Sequence, residues 1–468
     1  MTLRVGAVLL GGCSVGEDYL RPGVPIPISW ATPPEAASAV TPPEAAEGSS
    51  LDWWRQFRSP RLDVLMKEAV TANFDIAAAV ARVRQADAQM RIAGAPLLPS
   101  VSGTAGTTRQ HQPNMVPNAP PGAKAAQSTS FNFGLGASYE IDFWGKNAAA
   151  EQSAEATATA SRFDQQTVAL TAQSSVGTTY FDFLGMQDRI AVAKVNLANA
   201  KDVLAAIQDR AHAGLATSLD VAQQESVVAN QRASIPPLEQ QQRQDLNALA
   251  ILIGRLPEDI AGKPGTLDEI TVPQVVPGLP SELLARRPDV RNAEAKLIAA
   301  NADITVTKAS LFPSVQLTAQ GGFESLALST LMASRHLLFS LASSVTQPIF
   351  NNAELEGQIE LKKARYDELV QDYRKSVVSA FSDVENALIA TQKTGEEEQT
   401  QRVAADIALR AYQISKAQLT GGIIDITSVL NTQRTLFQAQ DALIQAKLAH
   451  LQAVVGLFKA MGGGWEAK

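Results

Sequence analysis

The chain has 468 residues, with 40 Lys and Arg against 47 Asp and Glu for a formal charge of −7, and 6% aromatic residues. That length admits two or three ordinary domains, while the mild acidity and the few rings exclude the basic, aromatic face of a nucleic-acid binder. Four His and seven scattered Met leave no metal-ligand cluster, and no run reaches the 18 or so apolar residues of a membrane-spanning helix.

Residues 1–12 read as a secretory signal: one positive charge at Arg4, an apolar run from Val5 to Leu10, then Gly11 and Gly12 before the single cysteine, Cys13. Leu10 followed by two small residues resembles a bacterial lipobox, in which the cysteine becomes the acylated, palmitate-bearing N-terminus. A chance buried cysteine is the plainer alternative. Ser14 stands where an Asp tends to retain a lipoprotein in the inner membrane, so the outer membrane is favoured. The signal is short, and a start upstream of Met1 stays open. Residues 13–60 are expected to form an extended segment, rich in Pro, Ala, Glu and Ser to about residue 50.

The stripe Leu62, Leu65, Ala69, Ile76, Val80 and Val83 predicts a helix from Arg61 to about Gly94, ended by Pro96 and Pro99. A hairpin at about 99–143 follows. Its second strand alternates Phe131, Phe133, Leu135, Ala137, Tyr139, Ile141 and Phe143 with Asn132, Gly134, Gly136, Ser138, Glu140 and Asp142. Successive side chains point to opposite faces of a strand, so one face is apolar and the other polar or bare. A second hairpin, about 313–350, repeats the pattern: Val315, Leu317, Ala319 and Phe323, then Phe339, Leu341, Val345 and Ile349, occupy the apolar positions. Period-two strands of this length match an outer-membrane barrel, the alternative being a half-buried soluble sheet. Closed barrels start near eight strands, and an open edge in lipid leaves N–H and C=O groups unpaired. Four strands therefore require an oligomer.

Lys146 to about Ala211 contains no proline and predicts a helix on the order of 100 Å long. Val176, Phe183, Ile190, Leu197 and Leu204 recur at sevens, with Met186, Ala193, Ala200 and Ile207 three residues on, a heptad seam with small positions. A glycine turn at Gly214 leads into a return helix that Pro236-Pro237 is expected to interrupt and kink. Residues 255–284 hold Pro257, Pro264, Pro273, Pro277 and Pro280 and read as a connector rather than a core, placed in an equatorial region. In the later helices, the polar run Lys393 to Gln399 is expected to face water, and Leu430, Phe437, Ile444, Leu451 and Phe458 again recur at sevens.

Much of this is said twice. Leu98-Pro99-Ser100-Val101 returns as Phe312-Pro313-Ser314-Val315, Phe143 as Phe350, Gly214 as Gly422, and Leu252-Ile253-Gly254 as Ala460-Met461-Gly462. The offsets of 214, 207, 208 and 208 leave the copies differing by one loop. The first copy spans 61–254, the second 285–462, and 463–468 is a tail. A repeat this long is no solenoid unit. It reads as two copies of one membrane-spanning half.

Five strings carry a resemblance. They are Cys13-Ser14-Val15-Gly16-Glu17-Asp18-Tyr19-Leu20-Arg21-Pro22; Trp53-Trp54-Arg55-Gln56-Phe57 with Asn73-Phe74-Asp75-Ile76; Leu283-Leu284-Ala285-Arg286-Arg287-Pro288-Asp289-Val290; and Val384-Glu385-Asn386-Ala387-Leu388. Spread from Cys13 to about Gly462, they resemble the TolC-like outer-membrane efflux proteins, in the OprM/NodT lipoprotein subgroup. The resemblance implies a mixed α and β fold. A long α-helical barrel continues into a transmembrane β-barrel, four strands per chain, closed only in a homotrimer. It implies a passive duct of a tripartite efflux system, not an enzyme, with no cofactor. The duct is lipid-anchored in the bacterial outer membrane and extends into the periplasm. It carries small molecules from an inner-membrane pump of the resistance-nodulation-division type, joined by a periplasmic adaptor.

The resemblance also places the working parts. The helix turns, Gly214, Leu215 and Ala216 in one copy and Gly421, Gly422 and Ile423 in the other, are where an adaptor docks; as plain turn residues they need no partner. The duct narrows just after the second turn. Asn431 stands where relatives often carry an Asp, so the acidic ring at that position is lost. Asp425 either supplies such a ring or caps the helix through Ser428. Arg434 matches an arginine that holds the closed state through an inter-helix ion pair, or is simply solvated. His111, His212, His336 and His450 lie in unrelated elements, and no catalytic constellation stands out. A type I secretion duct and a lipid-anchored periplasmic coiled coil are the alternative readings. The cargo and the particular pump are not legible.

Overall fold

A computed structural model describes residues 15–32, 52–112, 126–260, 262–275 and 278–463. Cys13 and the tip of the first hairpin lie outside them. The elements in chain order are α1 (Pro60–Ala72), α2 (Phe74–Gly94), β1 (Ser100–Gln112), β2 (Ala126–Ile141), α3 (Lys146–His212), α4 (Ser218–Leu252), α5 (Pro280–Arg286), α6 (Pro288–Ala309), β3 (Ser314–Ser325), β4 (Leu337–Thr346), α7 (Asn352–Thr420) and α8 (Ile426–Ala460). They divide into two compact units.

The first unit takes residues to Pro22, Val83–Ser161 and Ala293–Tyr373. Its strands form one antiparallel sheet in the order β1-β2-β3-β4, leaving β1 and β4 as edges. Register carries the alternation across all four strands. Ala137 faces Val101 and Ala319, Ala319 faces Leu341, and Tyr139 faces Leu317. Along these rows one face is mainly apolar from β1 to β4, broken by Ser343 opposite Leu317, yet Phe339 and Leu341 are each 80% exposed. On the other face Ser138 meets Ser100 and Thr318, and Gln320 meets Ser340.

The second unit takes Gly23–Arg82, Arg162–Asn292 and residues from Arg374 on. Trp53, Trp54 and Phe57, on a short 3-10 turn, are buried with Leu62, Leu65, Phe181, Leu249 and Phe458. Five sequence expectations need correction here. The stretch 61–94 is two helices rather than one. Asn73 leaves the helical conformation and its Oδ1 accepts the N–H groups of Asp75 and Ile76, which starts α2 afresh. The α4 helix is not interrupted at Pro236 and Pro237 but continues through them, although each proline removes a backbone hydrogen bond. The proline-rich connector belongs to the core: Ile260, Leu267 and Ile270 pack among Phe183, Leu184 and Leu246, with Leu267 1% exposed. Finally, the run from Lys393 to Gln399 is not wholly solvated. Glu398 turns inward and pairs with His450 Nδ1 at 2.8 Å. The heptad seam also drifts. Val176, Phe183 and Ile190 are buried, but Asn196 and Val203 then replace Leu197 and Leu204 at the buried positions. A helix of 3.6 residues per turn rotates away from a strict seven.

Candidate functional site

The two glycine turns share one backbone design. Leu215 N–H donates to Arg210 O at 2.8 Å, and Ile423 N–H donates to Gln418 O at 2.9 Å. Both bonds close over a glycine of positive φ, Gly214 at 74° and Gly422 at 71°, as a helix ending in a left-handed residue requires. Gly214, Leu215, Gly421, Gly422 and Ile423 are exposed, while Ala216 packs partly against the helices.

The caps that follow exchange roles between the copies. In the first, Thr217 Oγ1 accepts Asp220 N–H at 3.2 Å, and Asp220 accepts Thr217 N–H at 2.7 Å, forming a capping box. In the second, the carboxylate comes first: Asp425 Oδ1 accepts both the N–H and the hydroxyl of Ser428 at 3.0 Å. The Ser428 backbone N–H and hydroxyl hold the Asp425 carboxyl below the usual carboxylate range. The capping role is thus present within a single chain. Asn431 and Arg434 lie on the exposed face of α8, opposite the buried stripe Ile426, Val429, Gln433 and Leu436. One chain does not gather Asp425, Asn431 and Arg434 into a pocket.

Behind the turns, α3, α4, α7 and α8 pack on Val203, Ile207, Tyr412, Leu419, Ile426, Val429, Leu436 and Phe437. Sequence reasoning missed what sits inside this core. Gln224 and Gln433 are both 0% exposed. Gln224 Nε2 donates to Ala200 O at 2.8 Å and contacts Gln433 Oε1 at 3.4 Å. Burial pushes the nearby Tyr412 phenol up. Arg210 Nη1 donates to Leu419 O at 2.8 Å, tying the end of α3 to the end of α7. The signal available was a polar residue at the heptad position between Val429 and Leu436.

A second polar cluster stabilises the region where the resemblance string Arg286 to Val290 falls. Arg287 is forked onto Asp289 at 3.0 and 2.6 Å, and also reaches Asp383 at 2.9 Å and Ala460 O at 3.1 Å. Burial disfavours both charges, but their hydrogen bonds and mutual attraction prevail and hold the Asp289 carboxyl below its ordinary range. Among the described residues, no group of three or more His, Cys, Asp or Glu is placed to hold a metal ion.

Comparison with known proteins agrees with this architecture. A family model described as outer membrane efflux protein matches residues 65–255 and 279–463, which divides the chain between the two copies. The pyoverdine export outer membrane protein OpmQ of Pseudomonas aeruginosa is 39% identical over all of this chain and 97% of its own length. The toluene efflux pump outer membrane protein TtgC of Pseudomonas putida is 32% identical over 99% of this chain and 95% of its own. Among solved structures, the outer-membrane channel OprN superposes with a TM-score of 0.87 at 26% identity, covering 97% of this chain and all of that one. The chain belongs to the outer membrane efflux protein family.

Proposed function

We propose that three copies of this chain close into a passive duct that carries small molecules from an inner-membrane pump and its periplasmic adaptor across the outer membrane. One observation carries the reading: a four-stranded sheet with two open edges and a mainly apolar face left exposed. Lipid accepts that face but not the edges, whose backbone groups must pair, and joining three sheets edge to edge supplies 12 strands without a free edge. The adaptor docks on the two glycine turns, where Leu215 and Ile423 stand exposed. Asn431 and Arg434, facing away from the α8 core, narrow the entrance, with Arg434 holding the closed state.

The chain is anchored through an acylated Cys13. In support, Glu17 pairs with Lys308 at 3.2 Å and Arg21 forks onto Glu294, so the strap after the cysteine runs along α6 with its early end nearest β3. The cargo resembles that of the pyoverdine-exporting relatives, in keeping with the hydroxyl and amide side chains on the inner sheet face. Single-channel conductance in a planar bilayer tests the duct. Low, flickering conductance that rises in Arg434→Ala supports the gate, and an unchanged low value moves the gate elsewhere. No channel from a folded trimer overturns the duct in favour of an anchored coiled coil.

A further inference from the structure

The far end of the sheet carries charge of one sign on its mainly apolar face. The chain enters and leaves the strands on the side of the helices: α2 precedes β1, α3 follows β2, α6 precedes β3 and α7 follows β4. Both hairpin tips therefore lie at the opposite end, the exterior side of a protein whose helices extend into the periplasm. On the face of Phe339 and Leu341, the positions of β2 from Ile141 to Phe131 carry no charge, and neither do those of β3 and β4. On β1, Thr107 faces Phe131, and the next two positions of that face are Arg109, opposite Thr129, and His111, opposite Gln127. Both are exposed. Beside β4, the exposed Arg335 and the half-buried His336 stand in the short turn that ends where Leu337 meets Phe323.

Among the described residues each arginine meets a neutral acceptor rather than a carboxylate. Arg109 Nη2 donates to Gln127 Oε1 at 3.4 Å, and Arg335 Nε donates to His336 Nε2 at 3.3 Å. The carboxylates within the described strands, Glu140 and Glu324, occupy the other face, with Gln316 and Asn132 as register partners. A strand end kept wet only for solubility is served by either sign. These positions hold guanidinium and imidazole groups and no acid.

We infer that Arg109, His111, Arg335 and His336 form a docking collar for the phosphate groups of the glycolipid in the outer leaflet. The inference rests on the lipid-facing reading of the sheet and on the closure of three sheets given above. Since β1 and β4 are the open edges, joining them brings Arg109 and His111 of one copy beside Arg335 and His336 of the next. A guanidinium presents paired N–H donors that match two oxygens of one phosphate, and an imidazole adds a further donor. Several donors at each seam suit a headgroup that bears more than one phosphate.

The depth agrees. Ile141 to Phe131 covers about 33 Å of strand at roughly 3.3 Å per residue, and a tilt of about 40° makes that roughly 25 Å, the height usual for the apolar band of such barrels. Arg109 follows one outward position later, where acyl chains end and headgroup phosphates begin.

Lipid binding by the full-length trimer tests this. Wild type and the double variant Arg109→Gln, Arg335→Gln are compared for binding of fluorescent lipid A with both phosphates and of the same lipid with its phosphates removed. Wild type is expected to hold the phosphorylated form about tenfold more tightly, and the variant to lose most of that preference. Should the double variant fail to fold, Arg109→Gln alone is read in the same way. Equal binding of the two lipids by wild type overturns the collar, as does a folded variant that keeps the full preference. Phosphatidylglycerol bound as tightly as phosphorylated lipid A overturns the assignment to the glycolipid. In each of these cases protein that floats with vesicles and conducts leaves the duct intact. Protein that does not float with lipid at all overturns both.

Discussion

The sheet and the four-helix packing behind the glycine turns invert one another. In the sheet, Phe339 and Leu341 are 80% exposed, while in the helices Gln224 and Gln433 are 0% exposed. A water-soluble chain does the reverse at both places, since large apolar groups gain by leaving water and buried amides lose hydrogen bonds. The difference teaches that the two regions answer to different surroundings. The strands are shaped for a solvent that is not water. The helices hold a pair of amides inside, a use of buried polarity best known from coiled coils, where it specifies register.

The contrast can be broken most severely at the partly buried ion-pair network of the helical region. Arg287→Ala leaves Asp289 and Asp383, which are 39% and 46% exposed, without their shared partner and is expected to cost about 2–4 kcal/mol, read as lost thermal stability and protease resistance of the trimer. On the sheet, Leu341→Lys places a charge on the lipid face and is expected to cost about 2–4 kcal/mol of membrane insertion, against little for Ser340→Lys on the other face. Vesicle flotation of the two variants compares the faces directly; equal losses would mean that the faces are not lipid and lumen.

A smaller effect is expected at the glutamine layer. Gln224→Ala leaves Gln433 buried without its partner, for about 1–3 kcal/mol. Leucine at both positions recovers that stability while loosening the pairing of α4 with α8, which cysteine cross-linking between the helices measures. The smallest effect is expected from pH. Burial, and for Asp182 the charge of Asp245, push both carboxyls above their ordinary range, against hydrogen bonds from Gln452 and Gln241. The folded state therefore holds these protons more tightly than the unfolded chain, whose Asp titrates near about 3.9. Stability falls as pH rises from there through the folded values and stays lowered above them. Asp245→Asn is expected to flatten that slope and to raise the melting temperature most at neutral and alkaline pH.

Much of this was legible beforehand. The alternation from Phe131 to Ile141 gave the strand and its two faces, because a period of two leaves no freedom over which side chains travel together. The turns at Gly214 and Gly422 were legible because a helix that must end in a left-handed residue calls for glycine. The break at Asn73 was not. Its neighbours keep the helical stripe, and only the Asn73 side chain, which also donates to Leu252 O at 2.8 Å, chooses the cap over the continuing helix. The core role of Ile260, Leu267 and Ile270 was hidden by the prolines around them, since composition reports a backbone's stiffness and not what lies beside it.

By itself the sequence determined the duplication, the long helices with their turns, and strands that carry an apolar face, all of them local patterns of period and residue type. Only the tertiary structure decided which polar groups are buried. Gln224 reaches Gln433 across 209 positions, Arg287 reaches Ala460 O across 173, and His450 reaches Glu398 across 52. Such contacts arise from packing separate elements together, and no periodicity along the chain encodes which partner a buried amide or guanidinium will meet.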